Sequence, residues 1–259
     1  LKKPICEART KIHTDMINKI YNENCLDTMA KMKDNFIDLT VTSPPYNMNL
    51  RISKGKYISR QIVKEFSTKY IGFNDNLPID EFYKLHSQIL SELLRVSKIV
   101  FYNFQIVTGS KRAFFKLIGE FSDQIKDIII WNKVNGQPAM QGDVMNSQNE
   151  IILILGDNPI SRKFTNSNFK RGEMSNVWSI KRGRKISKKH GATFPEELID
   201  KIIKNFTNEN DIIYDPFMGS GTTAKVAQIN KRNYIGSEIS KEYCDIIHER
   251  LAREIGGLF

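Results

Sequence analysis

Short apolar runs that alternate with helix-patterned stretches restrict the fold of this sequence more than any other feature. Runs at Lys19–Cys25, Ile37–Ser43, Lys98–Phe104, Asp127–Asn132, Glu150–Leu155, Asp211–Asp215 and Asn233–Glu238 read as seven strands. Between them lie amphipathic stretches. Ile79–Ser97 carries Phe82, Leu85, Ile89, Leu93 and Val96 close to a 3.6-residue period, and Pro195–Phe206, Thr222–Asn230 and Ser240–Ile255 are also helical in pattern. Strands that alternate with helices pack as a mostly parallel sheet covered by helices, so the fold class is α/β. No helical pattern separates Asp127–Asn132 from Glu150–Leu155, so these two strands are expected to form an antiparallel hairpin at one edge. The 259 residues, 40% of them hydrophobic, supply a core for one domain over 1–259.

Composition narrows the class of partner. A formal charge of +10 suits a polyanion. Cys6, Cys25 and Cys244 lie far apart in the sequence, which suits a reducing, cytoplasmic setting. His13, His86, His190 and His248 are equally scattered, so no metal site is expected. The apolar runs are far shorter than the roughly 20 residues that span a bilayer, and the first residues are polar and charged rather than leader-like, so no membrane association is expected.

Two segments break the alternation. Residues 47–78 form a basic insert that begins with a loop carrying Arg51, Lys54, Lys56, Arg60, Lys64 and Lys69, where Glu65 is the one acid between 51 and 69. Residues 158–189 are more basic still: ten cations, among them Lys181, Arg182 and Arg184, face the single acid Glu173. Phe164, Phe169 and Trp178 are interleaved with these charges. Aromatics among cations suit a surface that follows phosphates and stacks on bases, so this segment is expected to recognise nucleic acid.

Residues 211–223 read Asp-Ile-Ile-Tyr-Asp-Pro-Phe-Met-Gly-Ser-Gly-Thr-Thr: a short strand, a carboxylate, a tight Gly-x-Gly turn and a helix start. The glycines let backbone approach a ligand, and the helix N-terminus offers free N–H donors. A second strand follows the helix and ends in Glu238, where nucleotide-binding α/β folds hold ribose hydroxyls on an acid. Two carboxylates, Asp215 and Glu238, would repel a phosphate. The pocket therefore suits a nucleoside that lacks phosphates and has a cationic part.

The stretch Thr-Ser-Pro-Pro-Tyr-Asn at 42–47 poses a separate constraint. Consecutive prolines cannot donate to a sheet, so they end the strand before them and fix the direction of the chain beyond it.

Together, the Asp-Pro-Phe-Met-Gly-Ser-Gly-Thr-Thr and Thr-Ser-Pro-Pro-Tyr-Asn motifs resemble those of the amino-methylating DNA methyltransferases that use S-adenosylmethionine. Their order, with Ser-Pro-Pro-Tyr first, resembles the circularly permuted β class, and the likeness covers roughly residues 20–250. The resemblance implies a Rossmann-like methyltransferase fold with a mostly parallel seven-stranded sheet and an antiparallel hairpin. It implies that Asp215, Phe217, Gly219, Gly221, Thr222 and Thr223 line the pocket for the methionine part of the cofactor, and that Glu238 binds its ribose. Asn24 and Cys25 fall where the family contacts adenine, although Asn24 replaces the usual acid. His190 and Thr193 lie in a segment that flanks the methionine carboxylate; Phe194 stands where adenine-specific members often carry a lysine. Trp131 lies in the strand that approaches the flipped base, where a core aromatic would look the same.

An exocyclic amine is a poor nucleophile because its lone pair is delocalised into the base. The resemblance assigns two acceptors for its protons, the Ser43 side chain and the Pro44 carbonyl, with Pro45 holding the turn rigid. Tyr46 would stack on a base swung out of the duplex. Serine before Pro-Pro-Tyr leans toward cytosine N4, with adenine N6 as the alternative; RNA or protein methylation and a catalytically silent DNA-binding module are weaker readings. Double-stranded DNA is the implied partner. A homodimer and a separately acting restriction endonuclease are left open.

Overall fold

The computed structural model describes residues 15–47, 51–53, 56–58, 77–107, 109–137, 142–156, 161–164, 166–183 and 194–256. His190, Thr193 and Arg184 lie outside these residues, as does most of the 47–78 insert.

Eight strands form one sheet: β1 (Lys19–Tyr21), β2 (Leu39–Thr42), β5 (Ile99–Phe104), β6 (Ile125–Gln137), β7 (Ser147–Gly156), β8 (Val177–Ser179), β9 (Ile212–Asp215) and β10 (Asn233–Ser237). A separate antiparallel hairpin joins β3 (Arg51–Ser53) to β4 (Lys56–Ile58) within the basic insert. The order across the large sheet is β1-β10-β9-β2-β5-β7-β6-β8. Pairing is parallel from β1 to β5, antiparallel where β7 meets β5 and β6, and parallel again at β8.

All seven expected strands are therefore present, with an eighth beyond them. Because β8 pairs with β6, the β6–β7 hairpin lies one strand in from the edge rather than at it. The first strand ends at Tyr21, not Cys25. There Asn24 accepts a hydrogen bond from the Leu26 amide at 2.9 Å and caps a short helix, α1 (Cys25–Ala30). Asparagine satisfies an otherwise free N–H at such a position, and that local gain ends the strand.

Helices α2 (Ile79–Val96), α3 (Lys111–Glu120), α4 (Glu196–Phe206), α5 (Thr222–Ile229) and α6 (Lys241–Gly256) complete the described elements. α2 begins with Asp80 and Glu81 and carries Arg95 in its last turn; α4 likewise begins with Glu196 and Glu197 and carries Lys204 near its end. Both distributions complement the helix dipole.

Side-chain alternation along the strands divides the core in two. Val100, Tyr102, Phe104, Leu153 and Leu155 point to one side and meet α1, α2 and α3 through Met29, Phe82, Leu93, Phe114 and Leu117. Leu39, Val41, Phe101, Ile129, Trp131, Ile152 and Ile154 point to the other and meet Leu198, Ile202, Phe206 and Val226 of α4 and α5. The result is a sheet covered on both faces.

The strand order reverses between β9 and β2. The chain passes from β9 through α5 to β10 on one side, and from β2 through α2 to β5 on the other. Open α/β sheets bind ligands beyond the carboxyl ends of the strands at such a reversal. Asp215 ends β9 there, and Ser43 immediately follows β2.

Candidate active site

The glycine-rich turn is built around Asp215. Its carboxylate is buried, with Oδ1 accepting from Thr42 Oγ1 at 2.7 Å and from the Phe217 amide at 3.0 Å, and Oδ2 accepting from Thr223 Oγ1 at 2.7 Å. Burial nonetheless pushes this acid up to about 6, the three hydrogen bonds opposing but not cancelling the loss of water. Gly219 and Gly221 adopt positive φ, and the Gly221 amide closes the turn on the Met218 carbonyl at 2.9 Å before α5 starts. At Gly221, φ is +81° and a side chain would meet Ile247 at 2.9 Å, so only glycine fits without displacement. Arg250 of α6 ties the turn from outside through the Ser220 carbonyl.

Glu238 approaches from the end of β10. Its oxygens accept the Gly219 amide at 2.8 Å and the Ser240 amide at 2.9 Å, so the second acid holds the turn formed by the first. A carboxylate offers about four acceptor positions, leaving some for a ligand. Burial raises Glu238 to about 7, and the neighbouring Asp215 charge adds to the shift. Among the described residues neither acid has an ion-pair partner. Two buried, unpaired carboxylates suit a ligand with hydroxyl groups and positive charge, whose arrival would restore what desolvation removes.

Thr222 and Thr223 are buried at the start of α5; Phe217 is partly buried against the core. Asn24 serves as a helix cap. Cys25 is buried, and desolvation pushes its thiol up to about 12, so it is no nucleophile at neutral pH.

The Pro-Pro loop meets a polar cluster that is not apparent from local sequence. Ser43 Oγ lies 2.6 Å from Tyr46 Oη, and Tyr46 donates to Glu150 Oε2 at 3.0 Å. Asn103 Nδ2 donates to Tyr46 Oη at 2.5 Å and to Glu150 Oε2 at 2.7 Å. Lys133, only 2% exposed, donates to Glu150 Oε1 at 3.2 Å. Burial lowers the lysine, with the charge of Arg182 adding to the effect and Glu150 opposing it. Tyr46 is itself buried and edge-on to Phe114, with ring centroids 6.3 Å apart.

Register brings this cluster together. Asn103 pairs with Ile152 and Trp131 with Glu150, so Asn103, Glu150 and Trp131 share a sheet face, and alternation carries Lys133 to the same side. Beyond Asn132 the ladder is irregular: Val134 adopts a φ of 66° with its amide on Asn132 Oδ1, which bends β6 just past Lys133. The sequence signals were Asn103 at the end of an apolar strand and Lys133 in step with Ile129 and Trp131; neither says what it meets.

Several expected DNA-facing groups are placed otherwise. Trp131, expected beside a flipped base, is instead buried in the core, with its indole N–H on the Ile180 carbonyl at 2.8 Å. Trp178 is 1% exposed, with the Lys201 ammonium 4.6 Å from its ring centre. Phe164 and Phe169 pack on Phe206 at 5.1 and 5.3 Å. These rings fasten the basic segment to α4 instead of presenting it with a stacking surface. Lys181 and Arg182 are exposed just beyond Ile180, which Trp131 anchors. At the basic insert, Asn47 bonds both backbone groups of Leu77, the carbonyl at 2.9 Å and the amide at 2.8 Å, so the insert leaves and re-enters at one point beside Tyr46.

A family model described as DNA methylase matches residues 37–249. The Type II methyltransferase M.BglII of Bacillus subtilis is 28% identical, over 92% of this chain and 70% of its own length. Among solved structures, the PvuII DNA methyltransferase (cytosine-N4-specific) is similar with a TM-score of 0.66 and 17% identity, covering 90% of this chain and 85% of that one. The M1.HpyAVI–SAM complex is similar with a TM-score of 0.58 and 21% identity, covering 90% and 99%. These two likenesses concern the fold.

Proposed function

The chain belongs to the N6/N4 DNA methylase family, and we propose that within it the protein transfers a methyl group from S-adenosylmethionine to cytosine N4 in double-stranded DNA. The observation that carries this reading is the juxtaposition at the strand-order reversal: Ser43-Pro44-Pro45-Tyr46 follows β2, and Asp215 and Glu238 stand at the ends of β9 and β10.

The donor set fits that cofactor. Glu238, with acceptor positions beyond those used by Gly219 and Ser240, would take the ribose hydroxyls. Asp215, Phe217, Gly219, Gly221, Thr222 and Thr223 would surround the methionine part, with His190 and Thr193 at its carboxylate. Asn24 and Cys25 would flank the adenine ring. When bound, the cofactor supplies an electrophilic methyl group.

The chain's own residues orient the amine. The Pro44 carbonyl and Ser43 Oγ would accept its two protons, turning the nitrogen lone pair toward the methyl carbon, and the Tyr46 ring would hold the base by stacking. Pro45 keeps the carbonyl in a fixed direction. Displacement is direct, so placement of these groups supplies most of the rate. Lys181, Arg182 and Arg184 would contact phosphates flanking the site.

Serine at 43 and Phe194 in place of a lysine favour cytosine over adenine. The Type II designation of the Bacillus subtilis relative supports a restriction-modification setting. Purified protein incubated with unmethylated duplex DNA and the cofactor should yield N4-methylcytosine in digested nucleosides. N6-methyladenine alone would overturn the choice of base.

A further inference from the structure

The cluster behind Ser43 has a definite proton order. As a carboxylate Glu150 only accepts, taking Lys133 Nζ at Oε1 and leaving Oε2 for the Tyr46 hydroxyl. Tyr46 therefore commits its proton to Glu150. Asn103 Nδ2 supplies one hydrogen to Tyr46 Oη and one to Glu150. With the Tyr46 proton spent, the short Ser43–Tyr46 contact has one polarity left: Ser43 donates and Tyr46 accepts. Asn103 is only a distant neighbour of Ser43 Oγ, at 3.4 Å. Donating to Tyr46, Ser43 keeps at least one lone pair to accept beside the long Asn103 contact.

We propose that Glu150, held by Lys133, is the positioning residue that makes Ser43 an acceptor, and that it receives through Tyr46 the proton which the methylated amine must lose. This rests on the amine-methylating reading above. As the bond from nitrogen to the methyl carbon forms, the bond from that carbon to sulfur breaks and its electron pair stays on sulfur. The nitrogen, now positively charged, releases one proton to Ser43 Oγ. Ser43 passes its own proton to Tyr46 Oη, and Tyr46 passes its proton to Glu150 Oε2. Glu150 ends neutral, Lys133 keeps its charge, and both hydroxyls are restored. A serine hydroxyl is too weak a base to hold that proton, so a terminal acceptor gives it somewhere to go. Glu150 and Lys133 would act through Tyr46, Asn103 and Ser43 rather than by contact with the base.

The test is single-turnover methylation of unmethylated duplex DNA at saturating cofactor and DNA, with dissociation constants for both measured alongside. Tyr46→Phe keeps the ring and removes the relay; Glu150→Gln keeps the shape and can turn an N–H donor toward Tyr46. Each should slow methyl transfer about a hundredfold, within the usual range for general acid–base groups, with dissociation constants within about twofold of wild type. Glu150→Ala should be slowed equally and should regain rate on added formate, which a purely structural role would not allow. Near wild-type rates in Tyr46→Phe and Glu150→Gln, or no formate rescue of Glu150→Ala, would overturn the relay while leaving the methyltransferase reading intact if Ser43→Ala is inactive. No methylated base from wild type would overturn that reading and the relay with it.

Discussion

The Thr42 hydroxyl donates to Asp215 Oδ1 at 2.7 Å, joining the last residue of β2 to the last residue of β9. This bond crosses the strand-order reversal and fixes the Pro-Pro loop, one residue past Thr42, against the glycine-rich turn. The two motifs are 173 residues apart in the chain.

Thr42→Val keeps the shape of the side chain and removes the donor. Losing one partner of a buried hydrogen bond costs about 1–3 kcal/mol. The remaining bonds from Phe217 and Thr223 leave Asp215 less able to hold its charge. Cofactor affinity should fall about tenfold in calorimetry and the methylation rate should fall with it. An unchanged dissociation constant would remove Thr42 from the support of the pocket.

Cofactor binding should depend on pH in a defined direction. Asp215 is raised to about 6 and Glu238 to about 7. Below these values the folded protein keeps protons that the unfolded chain would release, so both acids lower stability as pH rises from about 4 to about 7 in the ligand-free protein. A ligand with hydroxyl groups and positive charge prefers the ionised acids. Its affinity should therefore rise about ten- to a hundredfold between roughly pH 5.5 and pH 8, with proton release on binding at the lower end. Calorimetry in buffers of different ionisation enthalpy measures both. Proton uptake would reverse the assignment.

Much of this site was legible from sequence because its chemistry is local. Asp215, the glycines and Thr223 sit within one strand–turn–helix unit, and Pro44 and Pro45 announce the end of β2 by themselves. The Asn103–Glu150–Lys133 cluster was not legible, because it exists only through the register of β5, β7 and β6, and each member looks locally like a polar residue at the end of an apolar run. Phe164, Phe169 and Trp178 misled for a related reason. Interleaving with cations does not say which way a ring points; on α4, Phe206 offered the two phenylalanines an apolar partner and Lys201 lies over the Trp178 ring. Helix α3 is hard to see in the sequence because Ala113, Phe114 and Leu117 form too short a period to stand out.

Tyr46→Ala should abolish turnover and leave cofactor affinity within about twofold, since the Tyr46 hydroxyl bonds Ser43, Asn103 and Glu150, the groups proposed to position the base. Equilibrium binding beside a methylation assay separates the two effects. Loss of cofactor binding would contradict the base-stacking role.

Replacing Lys181 and Arg182 with glutamine should weaken DNA binding and lower the slope of log affinity against log salt by about 2, roughly one for each phosphate that is no longer neutralised. Fluorescence anisotropy over a salt series gives the slope. An unchanged slope would place this exposed pair away from the phosphates.

The central claim, that Ser43 presents a cytosine amine for methylation, is tested most directly in genomic DNA from cells that express the wild type or Ser43→Ala. Mass spectrometry of the digested nucleosides should find N4-methylcytosine with the wild type and none above background with Ser43→Ala. Equal N4-methylcytosine with both proteins, or none with either, would contradict it.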